Sequence, residues 1–269
     1  MPSTPLETSQ SHRPSIDHLI EAAVAEMRRD DDCTPALVAL QGMGTPEGLA
    51  RMLDLSRSAE PIRRRLAAVV LGQMHGPGQR SDERAFPEPA CDALLRLLDD
   101  EDIGVMVDAA FALGHLGNRR CDPALAARRH HEDPHVRYAI AFALCGSTTP
   151  VAVEALLALM DDPYDQVRDW ATTGIGQCTG VDGPVIRAAL LHRVDDEDVF
   201  TQVEAMHGLA RRGDARVLPP LIRALSHEHL MPHLFVDAAV AYLGLEEDTD
   251  RTEADLMARL RALLEGGTP

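Results

Sequence analysis

Apolar residues recur along this chain with a helical period, and the helical segments themselves recur. The segment DDEDIGVMVDAAFALG, from Asp99, realigns with DDEDVFTQVEAMHGLA, from Asp195. The acidic tetrad is identical, and Val107/Val203, Ala109/Ala205 and Leu113/Leu209 then coincide. EDPHVRYAIAFALCG (Glu132–Gly146) and DDPYDQVRDWATTGIGQ (Asp161–Gln177) lie between them, and HLFVDAAVAYLG (His233–Gly244) follows. Aligning the late apolar residue gives Leu71, Leu113, Leu144, Ile175, Leu209 and Leu243, in steps of 42, 31, 31, 34 and 34 residues. Each unit reads as helix, acidic turn, helix, then Gly or a polar break; CDALLRLL, VEALLALM, VIRAALLHRV and LPPLIRAL are first helices. Periods of this length are those of helical hairpins that bury their apolar faces against one another. No Val/Ile/Thr/Tyr-rich alternating run of strand length appears. The fold this predicts is all-α, an α-solenoid.

Seven units are expected, the first over Ile16–Gly44 and the second over 45–78. The 42-residue step marks an inserted loop, GPGQRSDERAFPEP (Gly76–Pro89), rich in Gly, Pro and charge. A last helix from about Thr252, with Thr252 as its N-cap and Gly266-Gly267 at its end, should cap the stack. The expected layout is a disordered tail over 1–14, a solenoid over 15–251, and a capping helix and tail over 252–269.

Asp133-Pro134 with Val136-Arg137, and Asp162-Pro163 with Val167-Arg168, carry a resemblance to the HEAT-like repeats, especially the short bacterial form named after phycobilisome lyases. Thr201-Gln202 and Phe235-Val236 depart from the Val-Arg pattern. The resemblance spans roughly residues 16–250 and implies a superhelix whose second helices line the concave face. Such repeats host many roles, so the likeness speaks to fold rather than function.

Charge narrows the partners. The chain carries 43 acidic against 26 basic residues, a formal net charge of −17, and every basic residue is Arg. Nucleic acid and anionic membranes both require a positive footprint, so neither is expected, whereas a basic or neutral partner is easier to accommodate. Aromatics make up only 3% of the residues. The core is therefore built from Ala, Leu and Val, which suits close helix packing. The five cysteines, an odd number without a CxxC pair, read as reduced thiols, with Cys145 and Cys178 inert in apolar helical surroundings. With no apolar signal core in 1–14 and no membrane span, a cytoplasmic location is expected.

The candidate chemistry mostly has structural readings. Asp99–Asp102, Asp161-Asp162 and Asp195–Asp198 lack the spacing of calcium loops and should cap the second helices. His130-His131-Glu132 with His135, and His227-Glu228-His229 with His233, invite comparison with the deoxyhypusine hydroxylases, HEAT-repeat enzymes that hold two irons with His-Glu pairs. That family's pair follows the Val-Arg position directly. Here those positions are Tyr138-Ala139, Asp169-Trp170, Val203-Glu204 and Asp237-Ala238, without a His. No metal site and no cofactor are therefore expected. The HEAT-like DNA glycosylases need a basic face and an aromatic pocket, which the charge and composition oppose. Gly42, Gly44 and Gly48 read as helix terminators rather than a phosphate loop. No GxSxG or other nucleophile motif is present.

A helical wheel at 100° per residue, with Val136 as zero, puts one arc opposite the buried side. It holds Val107, Ala110 and Gly114; Tyr138, Ala141 and Cys145; Asp169, Thr172 and Gly176; Val203, Met206 and Ala210; and Asp237, Val240 and Gly244. This stripe of small residues either lets neighbouring helices pack closely or floors a groove for a peptide. On the groove reading the candidate partner-binding residues are Val107, Tyr138, Phe142 and Met206 as apolar contacts, with Arg137, Arg168, Asp169 and Asp237 around them. Trp170 is expected towards the core. The expected function is a non-enzymatic scaffold, adaptor or chaperone for a protein or peptide. The alternatives are a bilin-lyase-like tetrapyrrole transfer factor and an acidic inhibitor of a basic toxin or nuclease.

Overall fold

A computed structural model describes residues 14–29, 33–78, 80, 83–226, 231–245 and 252–266. The expected tail over 1–14 lies, apart from its last residue, outside them. Fifteen α-helices and no strand occur among the described residues. They pair as hairpins: α1 (Ile16–Arg29) with α2 (Pro35–Gln41), α3 (Pro46–Leu55) with α4 (Pro61–Gln73), and α5 (Pro87–Leu97) with α6 (Ile103–Leu116). The short α7 (Asp122–Ala126) pairs with α8 (Pro134–Leu144), α9 (Pro150–Leu159) with α10 (Asp165–Gly176), and α11 (Pro184–Arg193) with α12 (Val199–Arg211). Then come α13 (Leu218–Ser226), α14 (Val236–Leu243) and α15 (Glu253–Leu264).

Proline sets many of the starts. Pro35, Pro46, Pro61, Pro87, Pro134, Pro150 and Pro184 each open a helix, where the ring fixes φ and no amide hydrogen is lost. This shortens the expected Gly76–Pro89 loop: Pro87 and Pro89 lie inside the first turn of α5. The remaining segment is pinned, with the Ala85 amide donating to the Met74 carbonyl and the His75 amide to the Gln41 carbonyl. Gly44 does more than end a helix. A Cβ there would stand 2.5 Å from the His75 backbone, so only glycine allows the crossing. At the far end, Thr252 caps α15 in a reciprocal box with Asp255, and Leu256 and Leu260 bury against α13 and α14.

Consecutive repeats touch mainly through their second helices, in the unbroken row α4, α6, α8, α10, α12, α14. Small residues make this row tight. A Cβ on Gly72 would stand 2.6 Å from the Ala112 Cα, one on Gly114 2.8 Å from the Ala143 Cα, and one on Gly208 2.7 Å from the Gly176 Cα. The second helices therefore pack more closely along this row than the first helices do along theirs. Behind the row Leu71, Leu113, Leu144, Ile175 and Leu209 are buried, as their common register demands, and Leu243 of the final unit is only half-buried.

The acidic turns do two jobs. Asp102, Asp133 and Asp198 cap the second helices through Val105 N, His135 N and Thr201 N. Asp100, Asp162 and Asp196 instead receive the Arg of the preceding repeat: Arg64 on Asp100, Arg137 on Asp162 and Arg168 on Asp196, all bidentate at 2.6–3.0 Å. Each Arg also donates to carbonyls of its own turn. Burial opposes ionisation of Asp196, but the Arg168 hydrogen bonds, the Asp198 amide and the charges of Arg168 and Arg193 together hold the carboxyl below its ordinary range. The step between α6 and α8 lacks the pair. There Met106 replaces the Arg, and His131 replaces the Asp, its Nδ1 accepting from Asp133 N. Arg212 closes the C-terminal end of α10, donating to the carbonyls of Ile175, Gly176 and Val181.

Cys91 on α5 and Cys121 before α7 are joined in a disulfide, both buried. This corrects the expectation of five reduced thiols, on which the cytoplasmic assignment partly rested. The cause is register: the two stand 30 residues apart, one repeat step, and so meet on stacked first-helix faces.

Candidate functional site

The exposed strip of the second-helix face is aromatic and lies slightly to one side of the arc drawn from the wheel. Phe111 on α6 meets Tyr138 and Phe142 on α8 edge-on, with ring centroids 5.7 and 5.0 Å apart. Trp170 on α10 meets the same two rings at 6.2 and 5.1 Å, and His115 closes on Phe142 at 5.3 Å. These are favourable edge-to-face distances. Phe111, Tyr138, Phe142 and Trp170 are all half-buried, so one side of the row packs and the other faces solvent. A cavity of about 140 Å³ continues the strip towards α4, lined by Val69, Gln73, Asp108, Phe111, Ala112 and His115.

Carboxylates border the rings. Asp108 takes a 2.7 Å ion pair from Arg65, yet burial pushes its pKa up. Asp169, next to Trp170, is pushed up to about 7, first by burial and then by the charges of Glu204, Asp198 and Asp165. No donor or cation among the described residues meets its carboxylate. Glu204 is raised by burial despite a hydrogen bond from Gln177. His115 and His207 are held towards the neutral form by burial, each with a nearby Arg adding to it.

Val107, Tyr138, Phe142 and Asp169 fall on this strip, and Asp237 is exposed further along on α14. Three expected residues do not serve it. Met206 is 2% exposed, and Ala110, Ala141 and Thr172 at its register position are buried as well. The neighbouring second helices cover that line, so close packing, not a groove floor, accounts for the small residues. Arg137 and Arg168 are held in the inter-repeat ion pairs described above, with side chains 12% and 13% exposed. Trp170 packs against the core, as expected, and also joins the ring row of the strip. Phe111, Asp108, His115 and Glu204 went unseen, although Phe111 and Phe142 share one register position, four residues beyond Val107 and Tyr138.

No group of three or more His, Cys, Asp or Glu that could hold a metal ion occurs among the described residues. His227-Glu228-His229 lies outside them. No described helix is long and apolar enough to cross a membrane.

Residues 91–176 match the family model of HEAT repeats. Over that span, the hairpins are similar to HEAT repeats. Protein YibA of Escherichia coli strain K12 is 33% identical over 87 residues, which is 32% of this chain and 31% of the relative. The chain thus matches about a third of that curated relative's length. The crystal structure of Escherichia coli YibA shares the fold at 21% identity, with a TM-score of 0.64 over 95% of this chain and 99% of that one. A HEAT-like repeat protein of Thermococcus onnurineus aligns at 15% identity, TM-score 0.54, over 92% and 98%. A designed armadillo repeat protein solved with the peptide (KR)4 aligns at 18% identity, TM-score 0.53, over 72% and 99%.

Proposed function

We propose that this protein is a non-catalytic binding scaffold whose second-helix face receives a basic segment of a protein partner. The observation that carries this is Asp169: a half-buried carboxylate that no cation among the described residues meets, set beside a continuous row of rings. Ionising it in the free protein is unfavourable. An incoming guanidinium or ammonium would supply the missing counter-charge and could also lie against the exposed faces of Trp170 and Tyr138. Glu204 and the overall charge of −17 favour the same sign of partner. Electrostatic attraction would then act mainly on the association rate. The likeness to the designed armadillo protein supports only that a stack of this architecture can hold a basic peptide.

Trp170 is the single tryptophan and so reports on the strip. Titration with an alternating Lys-Arg octapeptide should change its fluorescence saturably, more weakly as salt is raised, while a Glu octapeptide leaves it unchanged. No change with the basic peptide, or an equal change with both, would overturn the proposal.

A further inference from the structure

Two thiols that the aromatic strip does not use stand together at the C-terminal ends of α8 and α10. Cys145 is the C-cap of α8, and Cys178 lies just past the end of α10 in the next repeat. Their backbones run close. A Cβ built on Gly146 would be 4.0 Å from the Cys178 Cβ, and one built on Gly174 would be 3.7 Å from the Cys145 Cα. The two side chains are within hydrogen-bonding reach of one another. Cys145 is half-buried, whereas Cys178 is exposed to reagents. Cys91 and Cys121 occupy a corresponding relation on the first-helix side, one repeat step apart, and there the bond is formed.

We propose that Cys145 and Cys178 are a reversible dithiol–disulfide pair that reacts with low-molecular-weight disulfides of the glutathione type and closes a covalent bridge between the ends of α8 and α10. The roles within the pair are unequal. The hydrogen bond from Cys145 lowers Cys178 to about 7, against burial and the nearby Glu204 charge, and Arg211 lowers it further. The same contact, with burial, pushes Cys145 up. Cys178 is therefore the attacking thiolate. It displaces one thiolate from the small disulfide and becomes a mixed disulfide. Cys145 then gives its proton to solvent and attacks the Cys178 sulfur, releasing the second thiolate. The two electrons lost by the pair reside in the two small thiols, and excess reduced thiol runs the sequence backwards.

The test uses a Cys33→Ser background, in which Cys145 and Cys178 are the two remaining free thiols. Incubation with oxidised glutathione should abolish free thiol and yield, on non-reducing peptide mapping, a linked pair of peptides containing Cys145 and Cys178. Modification should accelerate as pH rises through about 7. Adding Cys145→Ser should let the glutathione adduct accumulate on Cys178. Adding Cys178→Ser instead should leave Cys145 reacting about 10-fold more slowly or worse. Circular dichroism of each variant establishes that it is folded. Two separate glutathione adducts without a link in the parent, or a Cys145 that reacts at an undiminished rate without Cys178, would overturn the proposal.

Discussion

Asp169→Asn should make the protein more stable at pH 8 and leave it nearly unchanged near pH 4. In the folded state burial and the charges of Glu204, Asp198 and Asp165 raise the carboxyl from 3.8 to about 7. Below 3.8 the group is protonated whether folded or not and contributes nothing. Between 3.8 and about 7 the unfolded chain ionises while the folded one resists, so folding is progressively disfavoured as pH rises. Above about 7 the full penalty is present. Because the side chain keeps part of its solvent contact, screening reduces the penalty to about 1–2 kcal/mol. Asparagine keeps the shape and removes the charge, so the variant recovers that amount at pH 8. Urea unfolding followed by Trp170 fluorescence at the two pH values, with m-values compared, measures it. A variant that is less stable than the parent at pH 8, or equally stabilised at both pH values, would refute the reasoning. The same substitution should weaken binding of a basic peptide, an exchange of function for stability typical of binding sites.

Leu144→Ala, at a fully buried register position, should cost about 2–5 kcal/mol in urea unfolding, and no loss would contradict the packing described. Arg168→Met should destabilise by about 2 kcal/mol, because Asp196 loses its bidentate partner and keeps the ion pair to Arg193. Arg168→Met combined with Asp196→Asn should recover part of that loss, and a double variant worse than the sum of the singles would exclude Arg168 and Asp196 as a coupled ion pair.

The repeat was legible because each unit repeats the same physical demands. An acidic turn must cap a second helix, and a late Leu or Ile must bury, so Asp102, Asp198, Leu113 and Leu209 recur in step. The site was less legible because a helical wheel treats one helix at a time. In the stack each second helix has a neighbour on both sides, and those neighbours cover Ala110, Ala141, Thr172 and Met206. The surface left open is displaced towards Phe111, Phe142 and Trp170. Arg137 and Arg168 looked available for the same reason, since their partners belong to the following repeat. The cysteine pairs had a signal in their spacing, which approximates a repeat step, but only stacking converts equal register into contact.

The most direct test of the central claim is the dissociation constant of the alternating Lys-Arg octapeptide, measured by calorimetry for Tyr138→Ala and Val185→Ala. Val185, on first helix α11, is 69% exposed and lies off the second-helix row. Loss of a ring from the centre of the strip should weaken binding by more than about 1 kcal/mol, roughly fivefold or more. The Val185 variant should bind as the parent does. Undiminished binding by a folded Tyr138→Ala protein, or an equal loss in both variants, would contradict the assignment of the second-helix face as the docking surface.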